Sequence, residues 1–214
     1  MRQPYRPVCY CQAVPPSATL DRPSVRERLL TAASELFYDE GVHTVGIDRV
    51  IERAGVSKAS LYTNFGSKDE LIRAYLEARH AAWTETLTDK LASRYTTPRE
   101  RVLGVFDVLG ESFAEPAFRG CALVNASAEV RAGSPVIGAC DESRAWKRSL
   151  FAELTEAAGA ADPEALAEQL AQLYDGAQIA ARMDRNPGAA LAARNAAATL
   201  LAASITAERS AATL

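Results

Sequence analysis

Apolar residues recur along this chain at intervals of three and four, the spacing that lines one face of a helix. Val25, Leu29, Ala33, Leu36 and Phe37 share one such face, in a helix that Gly41 ends. Leu71, Ile72, Tyr75, Leu76, Trp83, Leu87 and Leu91 stripe a long helix from about Ser67 to Arg94. Val102, Val105, Phe106, Leu109 and Phe113 mark the next. Gly120–Arg131 and Pro135–Ala158 read as two more, separated by Gly133, and alanine-rich helices follow at Pro163–Met183 and Pro187–Thr206. No segment alternates as a half-buried strand does. The pattern predicts an all-α fold.

Helix starts are legible in the local chemistry. Ser24 with Glu27, and Ser67 with Glu70, fit the capping box, in which the serine oxygen accepts a backbone N–H and the glutamate reaches back. Thr97-Pro98, Ser134-Pro135, Asp162-Pro163 and Asn186-Pro187 each place a good N-cap before a proline at the first helical position.

One stretch departs from the long-helix pattern. Ile47–Arg53 reads as a brief helix, Ala54-Gly55-Val56-Ser57 closes it, and Ser57 caps another short helix over Lys58–Asn64. Glycine at that place permits the left-handed backbone of a tight interhelical turn. Val50, Ala54, Val56 and Leu61 are placed to pack inward against the first helix, which leaves Lys58, Ser60, Tyr62, Thr63 and Asn64 outward. Two short helices joined in this way form a helix-turn-helix, whose second helix enters the major groove of DNA.

Residues 22–82, and above all "GVSKASLYTNFGSKDELI", resemble the DNA-binding domain of the tetracycline-repressor (TetR) family of transcription regulators. The resemblance rests on a helix ending in "LF", a glycine, a short helix, "AGVSKASLY", Phe65, and a Ser-Lys-Asp-Glu start. "RGCALVNASAE" (Arg119–Glu129) is also similar to a sequence common in the C-terminal domains of one branch of that family. Carried over by position, the resemblance implies that Thr44 and Gly46, at the start of the first short helix, face a phosphate. Lys58, Ala59 and Ser60 would face bases. Tyr62 and Thr63 would contact phosphate or thymine methyl groups, Asn64 would join the DNA-facing set, and Lys68 would bind backbone phosphate at a helix N-terminus. Asn64 stands where a histidine is frequent in the family, and Ile51 where a small residue is common. The implied organisation is a mobile Pro-rich tail (1–21), a DNA-binding domain (22–82, with the helix-turn-helix at about 45–64) and a ligand-binding and dimerisation domain (83–214).

Composition adjusts this picture more than it drives it. The 214 residues are 48% hydrophobic and 24% charged, as in a folded protein, and carry a net charge of −3. Residues 22–80 contain equal numbers of basic and acidic side chains, so a phosphate-facing surface there depends on placement. The acidity lies further on. The first 22 residues hold four prolines and no continuous apolar run, unlike a secretory signal. The expectation is a cytoplasmic protein with reduced cysteines, no membrane span, no metal site and no cofactor.

The remaining helices suggest a dimer and a ligand. Leu166, Leu170, Leu173 and Ala177 form a four-three-four seam, and Leu191, Ala198, Leu201 and Ile205 continue it on the last helix. Packed against their twofold mates, these would give the four-helix interface the family uses. The family's cavity for a small effector would lie among helices carrying Phe106, Phe113, Cys121, Asn125, Glu129, Trp146 and Gln178. Asn125 and Glu129, four apart, would share a helix face; each polar residue reads more readily as a satisfied core or surface group than as a ligand anchor. Cys121 follows Arg119-Gly120 at a helix start, where the dipole and a cation would lower a thiol pKa. It reads as a sensor of electrophiles, or as a small buried hydrophobe. An all-α enzyme with Cys121 as nucleophile finds no histidine or acid pair to support it. The leading expectation is a homodimeric, effector-released repressor of a palindromic operator, and not an enzyme.

Overall fold

The computed structural model describes residues 23–211 except residue 132. The Pro-rich tail, with Cys9 and Cys11, lies outside the described residues. Within them the chain is all-helical: α1 (Val25–Glu40), α2 (Ile47–Ala54), α3 (Lys58–Phe65), α4 (Lys68–Arg94), α5 (Pro98–Phe113), α6 (Ala122–Ser127), α7 (Pro135–Ala157), α8 (Pro163–Met183) and α9 (Ala189–Ala211). Ser24 and Thr97 close full capping boxes with Glu27 and Glu100. Asp162 accepts the Ala165 N–H at 3.0 Å. Gly41 ends α1 at a φ of 93°, as the sequence pattern anticipates.

Three local expectations need correction. Ser67 accepts the Glu70 N–H, but Glu70 gives its carboxylate to Arg73 at 2.7 Å, so this box is half-formed. Asn186 accepts from the Gly188 N–H, two residues on, closing a tight turn that delays α9 to Ala189. Most consequential, the helix expected over Gly120–Arg131 is only Ala122–Ser127. The Ser127 hydroxyl turns back on the Val124 carbonyl, and the Glu129 carbonyl is taken by the His43 imidazole, so the backbone leaves the helix. Asn125 and Glu129 therefore do not share a helix face.

Two cores organise the helices. One unites the far half of α4 with α5, α7, α8 and α9 around the fully buried Phe106, Phe151, Leu109, Leu170 and Leu201. The other joins α1, α2, α3 and the first half of α4 through Leu29, Val50, Leu61, Leu71 and Tyr75. This second core also takes in Ala122 and Ala126 of α6, and Val136, Ala139 and Cys140 at the start of α7. The N-terminal helices thus rest on α6 and the base of α7.

Candidate nucleic-acid interface

The surface begins with a turn. α2 ends at Gly55 in the left-handed conformation (φ 62°, ψ 45°). The Gly55 N–H reaches the Glu52 carbonyl at 3.1 Å and the Val56 N–H the Ile51 carbonyl at 3.2 Å, the paired bonds of a Schellman motif. Ile51 and Val56 both pack on the N-terminal core, so the bulky residue at 51 serves as the apolar partner that such a turn favours. From α1, the Arg28 guanidinium donates to the carbonyls of both Ala54 and Gly55. The turn is thereby pinned to the first helix.

Ser57 then caps α3, accepting from the Ser60 N–H at 3.2 Å. Leu61 and Phe65 hold α3 down: Leu61 is fully buried, and the Arg26 guanidinium lies 5.1 Å from the Phe65 ring centre. That fixes the other face. Lys58, Ala59, Tyr62, Thr63 and Asn64 are exposed and Ser60 is part-buried. Tyr62, at 45% exposure, is among the few large apolar side chains left in water. Asn64 donates its amide to the Ser60 carbonyl at 2.7 Å, which steadies it along α3. Lys58 pairs with Asp48 at 3.1 Å, but both side chains are well exposed, so the pair is weak and a phosphate can replace the carboxylate.

Thr44 and Gly46 are exposed at the start of α2, where Gly46 is an N-cap without a side-chain acceptor. The first N–H groups of α2 therefore have no capping side chain as acceptor. Lys68 opens α4 and is part-buried; burial lowers its pKa, opposed by the carboxylates of Asp69 and Glu129. Arg49 and Arg53, though exposed, pair with Glu40 (2.6 Å) and Glu35 (2.7 Å) of α1. These two pairs brace α2 against α1, and α3 itself carries no carboxylate side chain.

Behind this surface runs a set of contacts that sequence reasoning missed. The Tyr38 hydroxyl donates to the Gly120 carbonyl at 3.1 Å and accepts the Arg119 N–H at 2.9 Å. Arg119 pairs with Asp39 at 3.3 Å, and the Arg79 guanidinium sits 3.7 Å from the Tyr38 ring centre. Glu129 accepts the His43 N–H on its carboxylate and the His43 imidazole on its carbonyl. Ser134 donates to Asp69 at 3.0 Å. The hydrogen-bonded partners in these links lie 65 to 86 positions apart, beyond any local signal.

The residues expected to line a ligand cavity are dispersed. Phe106 is fully buried against Phe151, ring centres 5.9 Å apart, and Phe113 packs on Phe118 at 4.9 Å. Trp146 lies edge-on to His80, and Gln178 is part-buried on α8. Asn125 donates back to the Arg119 carbonyl at 3.1 Å, and Glu129 faces the His43 loop. The Cys121 thiol turns inward, and burial pushes its pKa up; the N–H groups of Val124 and Leu123 and the Lys147 ammonium pull down with less effect. The lowered pKa expected for a helix-start thiol is overturned, because desolvation outweighs the dipole.

The expected seams also divide differently. Leu166, Leu170, Ala177 and Leu201 are buried in the chain's own core, Leu173 and Ile205 are part-buried against it, and Ala198 is part-buried. Leu191 alone of that set is strongly exposed, at 60%. The outward stripe of α8 is Ala165, Gln169, Gln172, Gly176, Ile179 and Met183; beside it α9 shows Leu191, Ala192, Ala196, Thr199 and Ala203. Among the described residues no group of histidine, cysteine or carboxylate side chains could hold a metal, and no helix is long and apolar enough to cross a membrane.

Known proteins share this arrangement. Residues 29–75 match the family profile described as bacterial regulatory proteins, tetR family. A TetR transcriptional regulator from Streptomyces avermitilis is 36% identical, with 85% of this chain and 98% of that one aligned at a TM-score of 0.76. A TetR-family regulator from Streptomyces coelicolor is 33% identical over 85% and 96% of the two chains, at 0.78. Among curated relatives, the Mycolicibacterium smegmatis transcriptional activator FasR is 52% identical over 61 residues, 28% of this chain and 27% of its own. The Escherichia coli transcriptional repressor NemR is 33% identical over 106 residues, 49% and 53% of the two chains. The chain thus spans about a quarter and about half the length of these two relatives.

Proposed function

The chain belongs to the TetR family of DNA-binding transcriptional regulators, and from that premise we propose that it is a homodimeric repressor released from its operator by a small-molecule effector. The observation that carries this reading is the division of α3 into a buried face, Leu61 and Phe65, and an outward face of Lys58, Ala59, Tyr62, Thr63 and Asn64. The outward face lies in the major groove. Lys58, Ala59 and Ser60 meet base edges; Tyr62, Thr63 and Asn64 flank them; Thr44, Gly46 and Lys68 hold the backbone. The acting unit is a dimer in the cytoplasm, and the domains divide at about residue 82.

Dimerisation uses the outward stripes of α8 and α9. Small residues such as Gly176, Ala192 and Ala196 let helices approach closely, while Ile179, Met183 and Leu191 supply the apolar area. The buried leucines position these stripes from behind. Release follows from the shared core: an effector that favours another placement of α6 shifts Gly120 and Glu129, and with them Tyr38 and His43. The two α3 helices then lose their match to successive grooves.

The test is selection of DNA from a random pool, followed by binding titrations over a salt series. Lys68→Ala should weaken binding to selected and random DNA alike and flatten the salt slope. Lys58→Ala or Ser60→Ala should change preference among operators. Equal effects of all three on both kinds of DNA would remove α3 from the groove.

A further inference from the structure

α5 and α8 end side by side, and the loops that follow them enclose an open cavity of about 470 Å³. That lies within the range of small-molecule sites, roughly 300–1,000 Å³. Phe113 and Phe118 form its apolar wall, their rings 4.9 Å apart and tilted by 48°. Arg182 and Arg185 line the other side, and among the described lining residues they outnumber the one carboxylate, Glu115. Among the described residues neither guanidinium stands in an ion pair, and both are exposed. Arg185 follows the Asp184 C-cap at a φ of 51°, the left-handed conformation that commonly ends a helix, and this sets it beside Arg182 at the cavity.

The cavity touches the links to α1. A Cβ on Gly120 would come within 3.1 Å of Arg182 Cδ, so the Arg182 stem lies on Gly120. The Gly120 carbonyl accepts from Tyr38, and the Arg119 N–H donates to the same hydroxyl. Whatever moves the Arg182 side chain presses on the loop that holds α1.

We propose that this cavity is the effector site and that it takes a planar aromatic carboxylate. The ring lies against Phe113 and Phe118, and the carboxylate is held by the guanidinium forks of Arg182 and Arg185, which match its geometry. Arg182 then leaves its rest on Gly120, and the change reaches Tyr38. This inference rests on the reading of the chain as a ligand-responsive operator binder.

The experiment titrates benzoate and 1-naphthoate into the full chain by calorimetry, with 1-naphthalenemethanol as the neutral control. Operator affinity is measured with and without each compound. The expected result is binding of 1-naphthoate about tenfold or more tighter than the alcohol, with operator affinity lowered. Arg182→Gln combined with Arg185→Gln should weaken naphthoate about tenfold at an unchanged melting temperature. Arg182→Lys, which keeps the charge and the stem on Gly120, should lose less. Tyr38→Phe should bind naphthoate normally but no longer pass its effect to the operator. Equal binding of acid and alcohol, or no binding of either acid, would overturn the proposal while leaving operator recognition intact. So would loss of naphthoate on Lys147→Gln alone, which would move the site to the interior Lys147–Asp175 pair. A double variant that falls apart into monomers yet still binds naphthoate would assign the cavity to the subunit contact. Failure to bind any DNA would instead sink the operator reading, and the calorimetry would still decide this one.

Discussion

Replacing Gly55 by alanine should damage the turn between α2 and α3 in two separable ways. The first is backbone strain: Gly55 holds a φ of 62°, where a Cβ costs about 1 kcal/mol or somewhat more. The second is a collision. The new Cβ would lie 3.0 Å from Arg28 Nη2, too close for the guanidinium to stay where it donates to Ala54 and Gly55. Charge-assisted bonds are worth about 1.5 kcal/mol or more each, but the Gly55 carbonyl is exposed and water replaces part of the loss, so the pair is discounted to about 1 kcal/mol. Gly55→Ala should therefore cost about 2–3 kcal/mol. In an Arg28→Met background only the backbone cost remains, and the same change should cost about 1 kcal/mol less. Urea denaturation of the four proteins at one fixed concentration, followed by far-ultraviolet circular dichroism, gives the coupling. Single effects that add to within about 0.3 kcal/mol would refute the clamp assigned to Arg28.

Three further outcomes are expected. Leu170→Ala, in the chain's own core, should cost about 2–5 kcal/mol of stability with the dimer intact, whereas Met183→Asp should dissociate the dimer with little loss of fold; equilibrium ultracentrifugation and melting separate them. Gly104→Ala places a Cβ 2.6 Å from the Tyr95 ring, whose hydroxyl is tied to Asp107, and should cost about 1–3 kcal/mol by denaturation. The Glu111 carboxylate has its pKa lowered, chiefly by the hydrogen bond from Lys90 and then by Arg94. A lowered folded-state pKa stabilises above the ordinary carboxylate range, and that contribution is lost as pH falls through the folded value. Glu111→Gln should thus be less stable than the parent at pH 7, with melting curves that converge in acid.

What the sequence disclosed followed the reach of local chemistry. Caps at Ser24, Ser57, Thr97 and Asp162 act over three residues, and each falls where its spacing predicts. The inward face of α3 was legible from Val56, Leu61 and the glycine turn. Tertiary competition was not. Helix propensity over Gly120–Arg131 yields to His43, which takes the Glu129 carbonyl from 86 positions away. Arg28 reaches 26 positions to pin a turn whose own residues do not call for it. On α8 two stripes share the helical period, and periodicity alone does not say which meets the chain's own core. Leu166 and Leu170 went inward, leaving Ala165, Gln169, Gln172 and Gly176 outside together with Ile179 and Met183. For Cys121 the local dipole argument was sound, but burial, which the residues around it in sequence do not reveal, outweighed it.

The central claim is that two copies of α3 read DNA from opposite halves of a symmetric site. A hydroxyl-radical footprint of the purified protein on its selected operator tests it most directly. The account predicts two protected patches related by a dyad, with centres about 34–36 Å apart or a multiple of that, both lost when Lys58 and Tyr62 are replaced by alanine. A single protected patch, or a footprint unchanged by those substitutions, would contradict it.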